Sequence, residues 1–320
     1  MKYCIGIDIG GTNMKGGLLD LEGKLLYSTV RRLSNEDKGR EGIPVAVSEL
    51  VDALLQEKQI PRGELAGVGL GAPGAIDVAA GVVTRSPNLP EWENFALRES
   101  LIAKLGMRVE LENDVNAIAR GEQWCGAVEG ERNFICMALG TGLGGALCMD
   151  GKIWRGEYGM AGEIGHINID PEGVPCNCGS RGCIETFASA SALVRRVKED
   201  DFRVVLDSIQ SDADIPRRLS ELAEEGNAQA LAYWEEVGKA LGIVTGGLIN
   251  TLDISLILIC GGLSRSLELF KNKMHKTLFD YAYPAIAERV EIRKGKLLED
   301  AGVYGAAANL LFESGILKIK

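Results

Sequence analysis

Histidine is nearly absent from this 320-residue chain, which has two. Proline is sparse at nine, and no apolar run is long. The longest, "ISLILIC" (254–260), falls far short of the roughly 20 residues that a helix needs to cross a bilayer. A spanning helix is excluded, and no membrane partner is expected. No secretory leader stands out: the apolar start of "MKYCIGIDIGG" breaks at paired glycines, with no small-residue cleavage site behind it. Positive charge is also short. Lys and Arg number 35 against 45 Asp and Glu, a formal net charge of -10. That balance suits a nucleic-acid backbone poorly, so no nucleic-acid partner is expected. These absences together place the chain in the cytoplasm. Thiols stay reduced there, and a cysteine cluster points to a metal or to catalysis rather than to disulfides.

What is present is a core-forming composition. The chain is 46% hydrophobic, enough for a large core and long enough for that core to split in two. Forty-one glycines punctuate the apolar segments instead of forming low-complexity runs, a pattern of tight turns between strands. "KYCIGIDI", "NMKGGLLDLEG" and "KLLYSTVRRL" read as an antiparallel meander. Val47, Leu50, Val51, Leu54 and Leu55 have the spacing of one helix face. "LAGVGLGAPGAID" is a buried strand ending in a Gly/Pro loop, and "MRVELENDVNAIARGEQWCGA" is a strand, a polar junction and a helix. The pattern then restarts. "NFICMALGTGLGGALCMDGKIW" is strand, glycine loop, strand, Asp150-Gly151 hairpin turn and strand. Residues 189–250 read as mostly helical, "ISLILICGGLS" and "RVEIRKG" as late strands, and "AGVYGAAANLLFES" as a closing helix with small residues where another backbone could approach. A hairpin-plus-glycine-loop unit thus occurs twice, the outline of a duplicated α/β fold with two lobes. The boundary is expected near residues 114–116: residues 1–115 with about 300–320 in one lobe, 116–299 in the other. Cys4, Cys125, Cys136, Cys148 and Cys260, scattered in apolar segments, read as small buried hydrophobes.

Three glycine loops invite a ligand. In "DIGGTNMKGG", Gly10 and Gly11 can turn backbone N–H groups toward one anion. Thr12 adds a hydroxyl donor, Lys15 a positive charge, and Asp8 a carboxylate suited to hydrated Mg²⁺. A ligand-free hairpin turn is the alternative reading of this loop. "GTGLGG" (140–145), with Thr141 and Gly142, matches the dinucleotide pattern G-x-G-x-x-G in letters only. That pattern needs a helix after the glycines, and here a strand and hairpin follow. No Walker-type loop is present. Two such hairpin loops could grip a nucleoside triphosphate, with Gly261 and Gly262 admitting its base or ribose against bare backbone.

The histidine shortage sharpens one stretch, "GHINIDPEGVPCNCGSRGCIE" (165–185). His166 is followed at +10, +12 and +17 by Cys176, Cys178 and Cys183. One imidazole and three thiolates form a closed tetrahedral set, the pattern of a structural Zn²⁺ site. The glycines of "CGSRGC" permit the tight knuckle that such a site requires. Glu163 and Glu185 flank these ligands, so a metal that fixes the knuckle also fixes two carboxylates.

The succession "DIGGTxxK", "GTGxGG" and an apolar strand ending in "GG" resembles the actin-like, ribonuclease H-like ATPase and sugar-kinase superfamily. "GEIGHI" followed by "CNCGSRGCIE" is similar to the ROK family of repressors and sugar kinases. The resemblance covers nearly the whole chain; Cys260 stands where many members carry a third glycine. It implies a two-lobed fold with a cleft between the lobes, ATP and Mg²⁺ as cosubstrate and transient metal, a hexose substrate, and a homodimer or dimer of dimers. It implies sugar contacts at Gly74, Asn88, Asn113, Asp114, Glu163, His166 and Glu185. It also implies Asp114 as the base that deprotonates the attacking hydroxyl, although an aspartate between a strand and a helix is commonly just an N-cap. Trp92 either lines the sugar or packs in the core. Glucose phosphorylation to glucose 6-phosphate leads this reading. N-acetylmannosamine and N-acetylglucosamine kinases share most of the polar residues. A sugar-responsive repressor and an ATPase acting on protein partners remain the alternatives. The first strand starts at the third residue, leaving no room for the DNA-binding domain that a repressor would carry ahead of it.

Overall fold

The computed structural model describes residues 1–86 and 89–318. The chain forms two units. One comprises Met1–Arg132, Leu147–Ala161 and Lys296–Lys320; the other comprises Asn133–Ala146 and Gly162–Gly295.

The first unit opens with the expected meander, β1 (Tyr3–Ile9), β2 (Asn13–Asp20) and β3 (Leu25–Arg32), paired antiparallel. Helix α1 (Gly42–Lys58) buries the stripe that includes Val47, Leu50, Val51, Leu54 and Leu55, and it ends where Gln59 turns left-handed. Strand β4 (Leu65–Ala72) is buried along its whole length and lies parallel to β1. A small hairpin of β5 (Ala75–Asp77) and β6 (Val82–Arg85) follows, then α2 (Leu97–Leu105). Strand β7 (Val109–Asn113), parallel to β4, runs directly into α3 (Asp114–Cys125). The polar junction read between them is reduced to the turn at Asn113, which ends the strand and caps the helix. The sheet order is β3-β2-β1-β4-β7.

The second sheet repeats this plan. Strands β8 (Phe134–Leu139), β9 (Leu143–Met149) and β10 (Lys152–Ile153) are followed by α4 (Ala190–Glu199), α5 (Arg203–Leu206), α6 (Ile215–Glu224) and α7 (Ala228–Leu252). Then come β11 (Leu256–Cys260), α8 (Leu267–Tyr281), α9 (Pro284–Ala287) and β12 (Glu291–Lys294). The order β10-β9-β8-β11-β12 matches the first sheet position for position, with β8, β11 and β12 parallel. The duplicated α/β outline is therefore present. Asp150 and Gly151 both take positive φ, at 50° and 78°, as their hairpin turn requires.

The closing helix α10 (Ala301–Glu313) belongs to the first unit. Its small residues bring it against β1, β4 and α3. A methyl group on Gly6 would lie 1.9 Å from the Val303 carbonyl oxygen, and one on Gly69 1.8 Å from that of Ala306. Because α3 packs on α10, the chain leaves the first unit after Arg132 and not at residues 114–116. Cys4, Cys136, Cys148 and Cys260 are buried as expected; Cys125, at the end of α3, is only half-buried. Among the described residues no helix is long and apolar enough to cross a membrane.

Candidate active site

In the first unit the parallel strands β1, β4 and β7 end together. Their register sets Asp8 opposite Gly71 and Gly71 opposite Glu112, with Asn113 one step on. Carboxyl ends of parallel strands are where open α/β sheets hold ligands. A methyl group on Gly71 would lie 3.8 Å from both Asp8 Oδ1 and the Asp114 Cα. Asp8 and Asp114 thus flank the same stretch of bare backbone. Burial pushes the Asp8 carboxyl up to about 6, while nearby Lys15 pulls the other way.

The loop after β1 is tighter than an open anion nest. The Gly10 N–H donates to the Asn13 carbonyl at 2.9 Å and so closes the hairpin. Gly11 and Thr12 remain at its tip, both exposed, and a methyl group on Gly11 would meet nothing within 4 Å. Lys15 is the cross-strand partner of Asp8. Its ammonium pairs with Asp300 at 2.8 Å and donates to the Glu299 carbonyl, tying the hairpin to the start of α10.

Asn113 is the N-cap of α3. Its Oδ1 accepts from the Val115 and Asn116 N–H groups, and its Nδ2 donates to the Gly74 carbonyl at 3.1 Å. Asp114 therefore does not take the capping role that was the alternative to its reading as a base; it occupies the first helical position, with its Oδ1 accepting from the Val115 N–H. Gly74 sits at φ 105°, and a methyl group there would lie 2.3 Å from the Arg85 carbonyl oxygen, so this wall is backbone only. Trp92 is fully buried and donates from Nε1 to the Lys38 carbonyl, which makes it a core residue. Asn88 lies outside the described residues.

Sequence reading missed a buried network beneath Asn113. The Glu112 carboxylate, 1% exposed, accepts from the Asn113 N–H, from Asn116 Nδ2, and from Arg155 Nε at 2.9 Å and Nη2 at 2.5 Å. Arg155 also reaches Glu313 and Asn309 on α10. One guanidinium thereby fixes the end of β7, the end of α10 and the segment leading toward Glu163.

In the second unit, His166 Nδ1 lies 3.7 Å from Cys176 Sγ, and Cys178 Sγ lies 3.7 Å from Cys183 Sγ. All four ligand atoms fall within 4.8 Å of one another. A tetrahedral centre with metal–sulfur bonds of roughly 2.3 Å sets sulfurs about 3.8 Å apart, so the cluster is compatible with zinc. The knuckle turns at Gly179 and Gly182, both at positive φ (94° and 60°). A hydrogen bond from the Ser180 backbone lowers the Cys178 thiol pKa and favours the thiolate that a metal needs. Glu163 and His166 stand one short 3₁₀ turn apart (Ile164–His166), both exposed, with Glu163 Oε2 4.0 Å from His166 Nε2. The imidazole edge away from the sulfurs thus faces a carboxylate and solvent. Glu185, two residues past Cys183, accepts the Leu143 N–H on Oε2 at 2.9 Å.

The second glycine loop is held from below. Its Gly140 N–H donates to the Gly142 carbonyl, and the Gly140 and Thr141 carbonyls accept from the first-turn N–H groups of Ala190 and Ser191 on α4. A methyl group on Gly140 or Gly262 would meet nothing within 4 Å. Gly261, at φ 79°, packs on Leu139, where a methyl group would come 2.4 Å from the carbonyl oxygen.

The profile of the ROK family matches residues 4–312. The chain belongs to the ROK family. It is 34% identical to a glucokinase from Thermotoga maritima over 309 residues, 95% of this chain and 96% of that one. It is also 31% identical to a xylose repressor from Caldicellulosiruptor bescii, covering 96% of this chain and 77% of the repressor. Among solved structures, a ROK family glucokinase from Streptomyces griseus in complex with glucose and AMPPNP superposes with a TM-score of 0.80. The two are 32% identical, and the match covers 95% of this chain and 98% of that one. The actin-like ROK fold implied by the sequence is therefore the fold of this chain.

Proposed function

We propose that this ROK member is an ATP-dependent hexokinase that acts on glucose and yields glucose 6-phosphate. The observation that carries the reading is that Asp8 Oδ1 and the Asp114 Cα both lie beside Gly71, each 3.8 Å from where a methyl group on that glycine would be. Asp8, read as the carboxylate beside the metal, stands opposite Gly71 at the end of β1, and Asp114, read as the base, starts the helix that follows β7. Similarity to glucokinases, one solved with glucose and AMPPNP, supports the substrate pair.

Asp114 accepts the proton of the hexose hydroxyl as that oxygen attacks the γ-phosphoryl group. Such a base contributes about 10²- to 10⁴-fold to rate. Gly74 and Asn113 form the backbone wall beside it. The exposed pair Glu163 and His166, with Glu185, accepts from and donates to the sugar hydroxyls. Gly11, Thr12, Thr141 and Gly142 offer N–H and hydroxyl donors to the phosphates, Gly10 shapes the first loop by closing its hairpin, and Gly261 and Gly262 leave room for the adenosine. Lys15 acts on the phosphates indirectly, through its hold on the start of α10. Mg²⁺ carried by ATP would be held through water by Asp8 and would offset phosphate charge. Zinc on His166, Cys176, Cys178 and Cys183 would serve structure, fixing the segment that bears Glu163 and Glu185. The reaction is placed in the cytoplasm.

The test is a coupled ATP assay over a panel of hexoses and N-acetylhexosamines, run on the wild type and on Asp114→Asn. Glucose is expected to be the preferred acceptor. Asp114→Asn should still bind it and lose about 10²- to 10⁴-fold in turnover. Preference for an N-acetylhexosamine would reassign the acceptor, and near-normal turnover in the variant would remove Asp114 as base. The likeness to a repressor favours one further reading, sugar-dependent DNA binding without transfer. No hexose-dependent ATP consumption, together with retarded DNA at low salt, would establish it.

A further inference from the structure

Within the second unit, the residues assigned to the sugar and the loop assigned to the phosphates are in direct contact. The Leu143 N–H, next to Gly142, donates to Glu185 Oε2 at 2.9 Å. A methyl group on Gly142 would sit 2.2 Å from that same oxygen. Gly165, beside His166, packs so closely that a methyl group there would lie 1.9 Å from the Leu143 carbonyl oxygen. Two residues before Glu185, Cys183 anchors it to the knuckle; a few residues after, Ala190 and Ser191 hold the Gly140 and Thr141 carbonyls. The stretch 183–191 therefore brackets the phosphate loop, and Glu185 is the side chain through which the bracket meets it.

We propose that Glu185 couples the two ligands: its occupation by a hexose raises the affinity of the 140–143 loop for nucleotide, and nucleotide raises hexose affinity by the same factor. This inference rests on the kinase reading above. Glu185 has two carboxylate oxygens, and the Leu143 N–H takes Oε2. Sugar hydroxyls donating to the other oxygen lock the side-chain torsions. The Leu143 hydrogen bond, already made, is then fixed in place, so the loop that Ala190 and Ser191 hold from below is held at Leu143 as well and loses less freedom when nucleotide binds. Linkage makes the effect reciprocal.

The experiment is calorimetric titration of a non-hydrolysable ATP analogue without and with saturating glucose, and of glucose without and with the analogue. It uses the wild-type chain, Gly142→Ala and Glu185→Ala. In the wild type each ligand should tighten the other by about tenfold, within the range usual for coupled sites. Gly142→Ala drives the carboxylate off the loop while leaving it in the chain, and Glu185→Ala removes it. In both, the individual affinities weaken, and the coupling factor should fall to within about twofold of unity. Circular dichroism identifies a variant that has not folded, and the other then decides. Coupling that persists near tenfold in either folded variant, or is absent from the wild type, overturns the proposal. A wild-type chain that binds both ligands with coupling yet transfers no phosphoryl group would sink the kinase reading and leave this inference standing.

Discussion

At the scale of single residues, Asp8 shows how a ligand site weighs on stability. A carboxyl raised by burial to about 6 still holds its proton in the native state where the unfolded chain, with an ordinary value near 4, has released it. Asp8 therefore favours folding below about pH 4. That contribution is lost as pH rises through 6, at a cost of roughly 2–3 kcal/mol above it. Asp8→Asn should be more stable than the wild type at pH 7.5 by about 1–2 kcal/mol, and nearly inactive. Urea unfolding of both proteins in EDTA, without nucleotide, measures the difference across pH 4–7.5. A variant that is less stable at pH 7.5 would contradict a buried carboxylate that Lys15 compensates only in part. The Glu112–Arg155 pair is the opposite case, a buried charge with its partner in place. Arg155→Met strands Glu112 beneath Asn113 and Asp114 and should cost about 3–5 kcal/mol. Asp8 and Asp114 stood out in the sequence as candidates because the one closes an apolar strand just before paired glycines and the other follows a strand at a helix start. Glu112 and Arg155 were not, because two ordinary charged residues 43 apart carry no pattern.

Among the elements, the meander, the Asp150-Gly151 turn and the gathering of His166 with Cys176, Cys178 and Cys183 were legible because local chemistry determines each of them. Turn residues and ligand spacing need no knowledge of distant packing. The start of α3 was harder to read. Asn113 and Asp114 are both good caps, and the bond from Asn113 Nδ2 to the Gly74 carbonyl, on a segment 39 residues earlier, helps to hold Asn113 in the capping position. The knuckle gives an element-scale prediction. Elemental analysis should find one zinc per chain. Chelation should expose three further thiols to a disulfide reagent and open residues 170–182 to protease, since binding energy at such a site is local folding energy. Far-UV circular dichroism should barely change, because the knuckle contains no helix longer than one 3₁₀ turn. Unchanged thiol accessibility after metal removal would mean that packing, and not the ion, holds the loop.

For the molecule as a whole, duplication was visible in the sequence because both sheets begin with the same hairpin and glycine loop. Where the chain passes from one unit to the other was not. That depends on α3 lying against α10, and the two helices are separated by more than 170 residues of sequence. This long-range contact makes α10 (Ala301–Glu313) an integral part of the first unit. Val303, Leu310 and Leu311 are fully buried, in one cluster with Cys4 and Leu19 from β1 and β2. At roughly 1.5–3 kcal/mol for each large side chain, removing them forfeits about 5–9 kcal/mol. That is comparable with the roughly 5–15 kcal/mol that holds a whole domain together. A chain ending at Asp300 should therefore lose its cooperative thermal transition and accumulate in the insoluble fraction. Gly69→Val in the full-length chain should fail in the same way, because its side chain would have to occupy the place of the Ala306 carbonyl. A soluble, cooperatively melting truncation would show that the glycine faces of β1 and β4 close without α10, and the packing argument for those glycines would fall with it.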